Sequence, residues 1–402
     1  MHRASLSPEA KVLFLAAAVS PTDSALRQAL SEGIDWDELC LLAEHERATS
    51  ILLGHLSRVG ADSGNSGYQQ LRQLAVISAM HMLRLEQLLH QTINILARER
   101  IDPILLKGAG LAYTAYTSFS DRPMSDLDLL VLPRDAERAW SLLQTHGWTA
   151  ARIESVPFSR HHHLPRLFRE GGAARLEIHD ALLPDGQPFR ISMDTIWARA
   201  EHVTANGRVV MVPHPMHQLW HACVHFAWSH GMEWGSWRTF RDTTAIIDRN
   251  KIDWTEFLAF ARETRATTCC FWTLRLTRRL TGAPVPGAVL DSLRPPYPEF
   301  IVNRLERHLL ASLFPSDNRC PSVRLTRRLW EVAVAPDWSG HGDARPWQVS
   351  KQRLASFERV ESEPPIGGTI TDRLRKIRAG CAYLLRVSRL ALPVDLEEPR
   401  VL

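Results

Sequence analysis

The stretch that decides the fold is Arg122-Pro123-Met124-Ser125-Asp126-Leu127-Asp128-Leu129-Leu130-Val131. Its second half is a short apolar run, which is typical of a buried strand. Side chains two positions apart in a strand point to the same face, so Asp126 and Asp128 are expected side by side. Adjacent carboxylates repel unless a cation lies between them, and Mg²⁺ prefers carboxylate and phosphate oxygens. The stretch predicts either a metal site or two solvated acids at a strand start.

A glycine-containing segment precedes this stretch and leads from a predicted strand at 103–106 into a predicted helix. Its sequence is Leu105-Leu106-Lys107-Gly108-Ala109-Gly110. A helix N-terminus offers free amides and positive dipole character, and glycine lets an anion approach the backbone. The alternative is that the glycines only turn the chain. We expect a phosphate site made by Lys107, Gly108, Gly110, Arg122 and Ser125, in which Lys107 and Arg122 neutralise phosphate charge.

A third strand is predicted at 174–178, where apolar and polar residues alternate. Glu177 and His179 share one face of this strand. Glu177 is the candidate third acid, as a metal ligand or a general base, and His179 would contact phosphate or orient the acid. The alternative interpretation is an edge strand with a solvated face.

Helical and mixed segments alternate along the chain. Apolar spacing predicts a helical N-terminal region at 1–98, with a loop at 60–67. The strands and a helix at 134–147 define an α/β core at 99–212, followed by a helical domain at 213–320 beside the cleft. An Arg-rich helical extension occupies 321–402. The predicted fold class is therefore α+β and mainly helical.

Composition narrows the class of protein without naming a function. The 402 residues are 45% hydrophobic and 23% charged, with a net charge of +4, which does not favour a dedicated nucleic-acid binder. Six scattered cysteines suit a reducing compartment, and we expect a cytoplasmic location. No apolar run is long enough for a transmembrane helix. The apolar run at 12–19 is assigned to a folded helix rather than to a signal-peptide core.

Four further sets of residues remain open to more than one interpretation. His163, with its neighbours His161 and His162, either lines the substrate cleft or belongs to a solvated loop. His225, four residues after His221, lines a pocket, joins a metal site or packs in a helix. Arg238 and Asp242 contact substrate or form an internal ion pair. The basic helix predicted at 374–392 is solvated, or it meets an acidic surface, a membrane or nucleic acid.

Four motifs together resemble the uncharacterised nucleotidyltransferase family of the polymerase-beta superfamily, over about residues 75 to 290. They are Leu106-Lys107-Gly108, the stretch 122–131, His162-His163-Leu164-Pro165 and Glu177-Ile178-His179. The resemblance implies a mixed sheet flanked by helices. It matches Asp126 and Asp128 to the paired acids, Glu177 to the third acid and Gly108 to the glycine loop. This sequence has Gly108-Ala109 where the superfamily usually has Gly-Ser or Gly-Gly, and a longer spacing to the first acid.

The predicted function follows from the resemblance and the acids. It is transfer of a nucleoside monophosphate from a nucleoside triphosphate, such as ATP, to an acceptor hydroxyl, with release of pyrophosphate. Two Mg²⁺ or Mn²⁺ ions are expected on Asp126, Asp128 and Glu177, with His179 among the nucleotide-binding residues. The acceptor is expected to be a small molecule, peptide or sugar rather than nucleic acid. The alternatives are an inactive nucleotide-binding or regulatory module, and a toxin-like enzyme that modifies tRNA or protein.

Overall fold

The structure, a computed structural model, describes residues 7–19, 23–61, 64–150, 162–205, 207–232, 237–313, 320, 322–334 and 370–388. These residues form an α+β protein that is mainly helical and contains one mixed sheet, as predicted. Within the described residues, no helix combines the length and apolar character needed to span a membrane. The six cysteines are unpaired, and four of them are buried.

The N-terminal region is helical, which confirms the prediction for its described residues. Its helices are α1 (Pro8–Ala17), α2 (Asp23–Ser31), α3 (Trp36–His45), α4 (Thr49–Arg58) and α5 (Ser66–Arg98). The predicted loop at 60–67 ends two residues early because Asn65 caps α5. Its side-chain oxygen accepts hydrogen bonds from the backbone N–H groups of Gly67 and Tyr68, at 2.8 and 3.3 Å.

Seven strands form the sheet, and it is mixed. They are β1 (Ile104–Leu105), β2 (Leu127–Leu130), β3 (Thr149–Ala150), β4 (Leu167–Arg169), β5 (Ala174–His179), β6 (Glu201–Ala205) and β7 (Arg208–Val212). Their order is β3-β4-β5-β2-β1-β7-β6. The β2–β5 and β1–β7 pairs are parallel, and the other four pairs are antiparallel.

The sequence predicted only three of these seven strands, so the predicted number of strands was wrong. Strand β2 ends at Leu130 and β5 at His179, each one residue from the predicted limit. The hairpin of β6 and β7 and the short strands β3 and β4 were missed. Strand β3 has only two residues, and β6 has a single large apolar residue, Val203, so neither shows the alternation that marks a strand.

The remaining helices lie within and after the sheet segment. They are α6 (Lys107–Thr114), α7 (Pro133–Thr145), α8 (Met193–Ala198), α9 (Pro215–Val224), α10 (Trp237–Arg249), α11 (Trp254–Glu263), α12 (Thr267–Thr281), α13 (Gly287–Leu293), α14 (Glu299–Leu313), α15 (Val323–Val334) and α16 (Ile370–Val387). Helix α9 continues into a π-helical turn, His225–Ser229. The predicted basic helix corresponds to α16, and residues 389–392 of the prediction lie outside the described residues.

The buried apolar side chains fall into two clusters, and the sheet lies between them. Alternate residues of β1 divide accordingly, with Ile104 in the first cluster and Leu105 in the second. The first cluster contains α1, α9, α10 and α12, and the second contains α7 and the other sheet face. Helix α5 belongs to both, through Leu71 in the first cluster and Leu89 in the second.

Candidate active site

Strands β2 and β5 bring the predicted acids together. In their parallel register Asp128 lies opposite Glu177, and Leu129 lies opposite Ile178. The leucine and isoleucine side chains are fully buried in the second cluster, so the acids point to the other face of the sheet. Asp128 and Glu177 are themselves only 3% and 5% exposed. Buried carboxylates are costly unless they are paired, so their partners define the site.

Asp128 has two cationic partners on one oxygen. Its Oδ1 accepts a hydrogen bond from Lys107 Nζ at 2.7 Å and lies 2.9 Å from His179 Nε2. Burial alone would raise the pKa of Asp128, but the lysine ammonium and the His179 hydrogen bond together hold this pKa far below its usual value. The carboxyl group is therefore ionised near neutral pH.

Glu177 is held from two sides. Its Oε1 accepts a hydrogen bond from Arg166 Nε at 2.8 Å and another from the Arg166 terminal nitrogen, while its Oε2 lies 3.5 Å from His179 Nε2. Burial and the charge of Asp128 raise the pKa of Glu177, but the hydrogen bond from His179 and nearby positive charge lower it to about 2. Glu177 is thus also a carboxylate near neutral pH.

His179 lies between the two acids and is 1% exposed. Burial lowers its pKa, but the hydrogen bonds to Asp128 and Glu177 outweigh that effect and raise the pKa above the usual value. Its Nδ1 is buried and has no hydrogen-bond partner among the described residues. Ligand atoms of Asp128, Glu177 and His179 all lie within 4.8 Å of one another. Two carboxylates and an imidazole this close fit a divalent cation, whose charge would replace that of Lys107.

Asp126 lies outside this compact set of ligand atoms. It is half-buried at the cavity wall, and its Oδ1 accepts a hydrogen bond from Ser125 Oγ at 3.0 Å. The structure therefore groups Asp128 and Glu177 with His179 more closely than with Asp126. The sequence had placed Asp126 in the metal set and His179 among the nucleotide ligands.

The N-terminus of α6 opens onto the same acids. Lys107, Gly108 and Gly110 line the cavity, and the first amides of a helix have no partner within the helix. Lys107 has a φ of 46°, a left-handed conformation that is uncommon for lysine. A Cβ on Gly110 would lie 2.4 Å from the carbonyl oxygen of Leu105. Gly110 therefore lets α6 pack against β1, which is a structural reason for this glycine beside the predicted phosphate contact.

Arg122 is engaged in an ion pair rather than projecting freely into the cavity. Its Nε and one terminal nitrogen donate to the two carboxylate oxygens of Asp242, at 2.6 and 2.7 Å, and Tyr116 donates to Asp242 at 2.6 Å. Burial would lower the pKa of Arg122, but Asp242 raises it overall. The internal ion pair that was one interpretation of Asp242 is present, and its partner is Arg122 rather than Arg238.

A cavity of about 380 Å³ joins these groups to the helices on its other side. We call the acids Asp126, Asp128 and Glu177 the strand wall; His179 lies behind these acids and is not one of the described residues that line the cavity. The helix wall comprises side chains from α9, the π-helical turn and α10, namely Gln218, His221, His225, Arg238 and Asp242. Burial and neighbouring positive charge lower the pKa of His221 to about 3 and that of His225 well below its usual value. These histidines are neutral near pH 7.

The histidine motif lies behind the strand wall. The rings of His162 and His163 lie 5.1 and 5.3 Å from that of His179, measured between centroids. His163 forms an isolated β-bridge with His179, so it supports β5 rather than lining the cavity. The third member of the motif, His161, lies outside the described residues. On α9, His217 packs against Phe260 with a centroid distance of 5.0 Å.

Sequence reasoning missed three residues of the cavity wall. Arg166 pairs with Glu177, and Gln218 accepts a hydrogen bond from Thr114 at 2.9 Å while donating to Pro213. His221 was noted in a spacing pattern but was not assigned to the cavity. The available signal for Arg166 was a basic residue directly after the His-Leu-Pro motif. Gln218 and His221 had no signal beyond their helical spacing from His225.

The mixed sheet, the facing acids and the adjoining helix N-terminus define the candidate active site of an α+β protein. The sequence pattern of the uncharacterised nucleotidyltransferase family matches residues 32–282, and the chain belongs to this family. This confirms the resemblance inferred from the motifs. A nucleotidyltransferase family implies a nucleotide substrate. Neither the curated proteins nor the solved structures include a significant match to the chain.

Proposed function

We propose that the protein is a metal-dependent nucleotidyltransferase that moves a nucleoside monophosphate from a nucleoside triphosphate to an acceptor hydroxyl, with release of pyrophosphate. One observation carries the proposal. Asp128 faces Glu177 across β2 and β5 in a cavity that the N-terminus of α6 also lines, and His179 contacts both acids from behind. The family supports the same class of reaction.

The strand wall would hold Mg²⁺ or Mn²⁺, with two ions as the expected number. Asp128 and Glu177 offer ionised oxygens, and Asp126 offers a third carboxylate at the cavity wall. His179 would add its Nε2, which lies beside both acids, once that nitrogen has given up its proton. A bound dication would supply charge neutralisation at the triphosphate and polarise the phosphorus toward attack. Stabilisation of the negative charge on the phosphates is the main catalytic need in phosphoryl transfer. The protein's main contribution would therefore be to hold the metal ligands in position before the reaction.

The residues of α6 would hold the phosphates. The Lys107 ammonium, which now neutralises Asp128, would be released when a dication takes over that charge, and its position at the cavity wall suits a phosphate oxygen. Backbone amides of Gly108 and its neighbours would donate to the triphosphate. Arg122 would act through the fixed charge pair with Asp242, which holds the 122–131 stretch against α10.

The test uses labelled nucleoside triphosphates, Mg²⁺ or Mn²⁺, and a panel of hydroxyl-bearing small molecules, peptides, sugars and tRNA. We expect metal-dependent labelling of a small acceptor by the wild type and none by the Asp126→Ala, Asp128→Ala double variant. The matched control is Asp248→Ala, which removes an exposed acid of α10. Undiminished transfer by the double variant would show that the site is wrong.

Two other outcomes would replace the proposal. Nucleotide binding that needs no metal, with no transfer to any acceptor, would favour a regulatory module of the same fold. Labelling confined to tRNA or to protein would favour the toxin-like alternative.

A further inference from the structure

A second depression lies beside the cavity. Its volume is about 470 Å³, and Met124 and Ser125 line both spaces. We call it the side groove, and the residues that define it are Arg47, Leu74, Ile77, Ser125 and Arg175. Ser125 directly precedes Asp126, so the groove runs to the edge of the strand wall. A molecule in the groove would have one end within reach of the candidate reaction centre.

Two arginines give the side groove a positive charge. Arg175 is on β5, two residues before Glu177 and on the same face, so the two positions are about 7 Å apart along the strand. Arg47 is half-buried in the turn between α3 and α4. Among the described residues, no carboxylate forms an ion pair with either guanidinium. The described lining contains two arginines and one acid, Glu44, so positive charge is in excess.

Arg47 is held in place by its surroundings. Its φ is 55°, a left-handed conformation that ends α3, and the backbone N–H of the next residue, Ala48, donates to the carbonyl oxygen of Ala43 at 2.7 Å. The preceding residue is anchored, because the buried Glu46 carboxylate accepts the backbone N–H of Trp237 at 3.0 Å. Burial lowers the pKa of Arg47, the charge of Asp126 opposes this, and Arg122 and Arg175 lower it further. Arg47 is therefore in electrostatic reach of both the strand wall and Arg175.

Helix α5 contributes apolar side chains to the side groove, alongside Ser78 and His81. Leu74 and Ile77 are three residues apart on α5 and present adjacent side chains to the groove. Ile77 is 64% exposed, which is unusual for so large an apolar side chain. A single ligand could therefore place an anionic group at the two arginines and an apolar group against α5.

We propose that the side groove binds the acceptor, and that the acceptor is a small hydroxy acid with an apolar portion. Its carboxylate or phosphate pairs with Arg47 and Arg175, its apolar portion covers Leu74 and Ile77, and its hydroxyl passes Ser125 into the cavity. This inference rests on the proposed function. In the transfer, the hydroxyl oxygen bonds to the α-phosphorus and the bond from that phosphorus to pyrophosphate breaks. The hydroxyl proton passes to a cavity carboxylate and then to water.

The test measures binding without nucleotide or metal, by calorimetry, with three probes. They are β-hydroxyoctanoate, its neutral methyl ester and octyl phosphate, which separates a preference for carboxylate from one for phosphate. We expect at least one anion to bind roughly tenfold or more tightly than the ester, because a charge-assisted contact is lost in the ester. The Arg47→Gln, Arg175→Gln variant should bind the anion no better than the ester.

Two controls separate charge from folding. Arg47→Lys, Arg175→Lys keeps both charges and should retain most of the preference for the anion. Arg134→Gln removes an arginine of α7 whose side chain is 80% exposed, and it should leave binding unchanged. Thermal unfolding of each variant checks that the fold is intact.

Several results would overturn the proposal. They are absence of binding by both anions at about 10 mM, equal binding of acid and ester, and undiminished binding by the Gln variant. A loss of triphosphate affinity in the Gln variant with unchanged anion binding would assign the arginines to the nucleotide. Failure of the proposed function would be seen separately, as absence of metal-dependent transfer while the anion still binds.

Discussion

Histidines lie both behind the strand wall of the cavity and in its helix wall, and their pKa values are shifted in opposite directions. His179 hydrogen-bonds to Asp128 and Glu177, so its pKa is raised. His221 and His225 have no such carboxylate partner in the described residues, and burial lowers their pKa. The comparison shows that the position of a histidine relative to carboxylates, more than its burial, decides whether it is charged.

The two walls also differ in what they would contribute. The strand wall contains ionised acids whose present partners a metal ion could replace, whereas the helix wall contains neutral histidines and Asp242, which is paired with Arg122. We therefore expect substitutions in the strand wall to change chemistry and metal binding. Substitutions in the helix wall should mainly change stability. The predictions below test this division.

The largest effect is expected for Asp128→Asn. Loss of this carboxylate removes a metal-binding oxygen and leaves Lys107 and His179 without their partner, so transfer should fall by roughly a thousandfold. The measurement is the rate of labelled transfer, with Asp135→Asn on α7 as the matched control. A variant that retained more than about a tenth of the wild-type rate would remove the distinction between the walls.

Asp242→Asn tests the helix wall. It breaks the bidentate contact with Arg122 and leaves a buried guanidinium without its counter-charge, so the free energy of unfolding should fall by about 3 kcal/mol. Chemical denaturation measures this loss, and Asp248→Asn on the same helix is the control. If transfer fell a thousandfold while stability was unchanged, Asp242 would belong to the chemistry instead.

Lys107→Met should tighten the binding of Mn²⁺ in the absence of nucleotide by roughly tenfold. The reason is that the ammonium lies 2.7 Å from Asp128 Oδ1 and competes for that oxygen. Electron paramagnetic resonance of free Mn²⁺ gives the affinity, and Lys251→Met is an exposed control. Nucleotide binding should weaken in the same variant. Unchanged Mn²⁺ affinity would show that the lysine and the ion occupy different positions.

The smallest effect concerns acid stability. Burial and neighbouring positive charge lower the pKa of His217 in the fold to about 4, below the value of 6.5 for a free histidine. Its stabilising contribution is therefore complete above pH 6.5 and is lost as the pH falls towards 4, by about 1 kcal/mol at pH 5.5.

The His217→Phe variant should lose this pH dependence, because phenylalanine does not titrate. Unfolding free energies at pH 7.5 and 5.5 measure the difference, and His202→Phe on exposed β6 is the control. An equal loss of stability in wild type and variant would mean that other groups cause the acid sensitivity.

Local sequence patterns predicted which acids share a face of each strand, because that face depends only on the alternation of residues within the strand. Alternation in β2 and β5 was enough to place Asp126 with Asp128 and Glu177 with His179 on common faces. It could not show that Asp128 would lie opposite Glu177, because α7, β3 and β4 intervene before β5. The same limit applies to His179, whose position between the two acids depends on that register.

The helix wall depends on contacts between distant parts of the chain, which have no local pattern. Arg122 and Asp242 are separated by 120 positions, and the sequence left the partner of Asp242 undetermined. The spacing of His217, His221 and His225 predicted a helical face, but packing against the sheet determines which of them meets the cavity. Arg47 and Arg175 are likewise brought together only by the fold.

The length of helix α5 limits how the protein can move around a ligand. At 33 residues it is about 50 Å long, and it belongs to both apolar clusters. Its beginning packs with the N-terminal helices and its end packs against the sheet. One continuous helix therefore connects the two apolar clusters. A rotation of one cluster relative to the other around a substrate would require α5 to bend. We therefore expect ligands to enter a largely preformed chamber, with adjustment by side chains rather than by hinge closure.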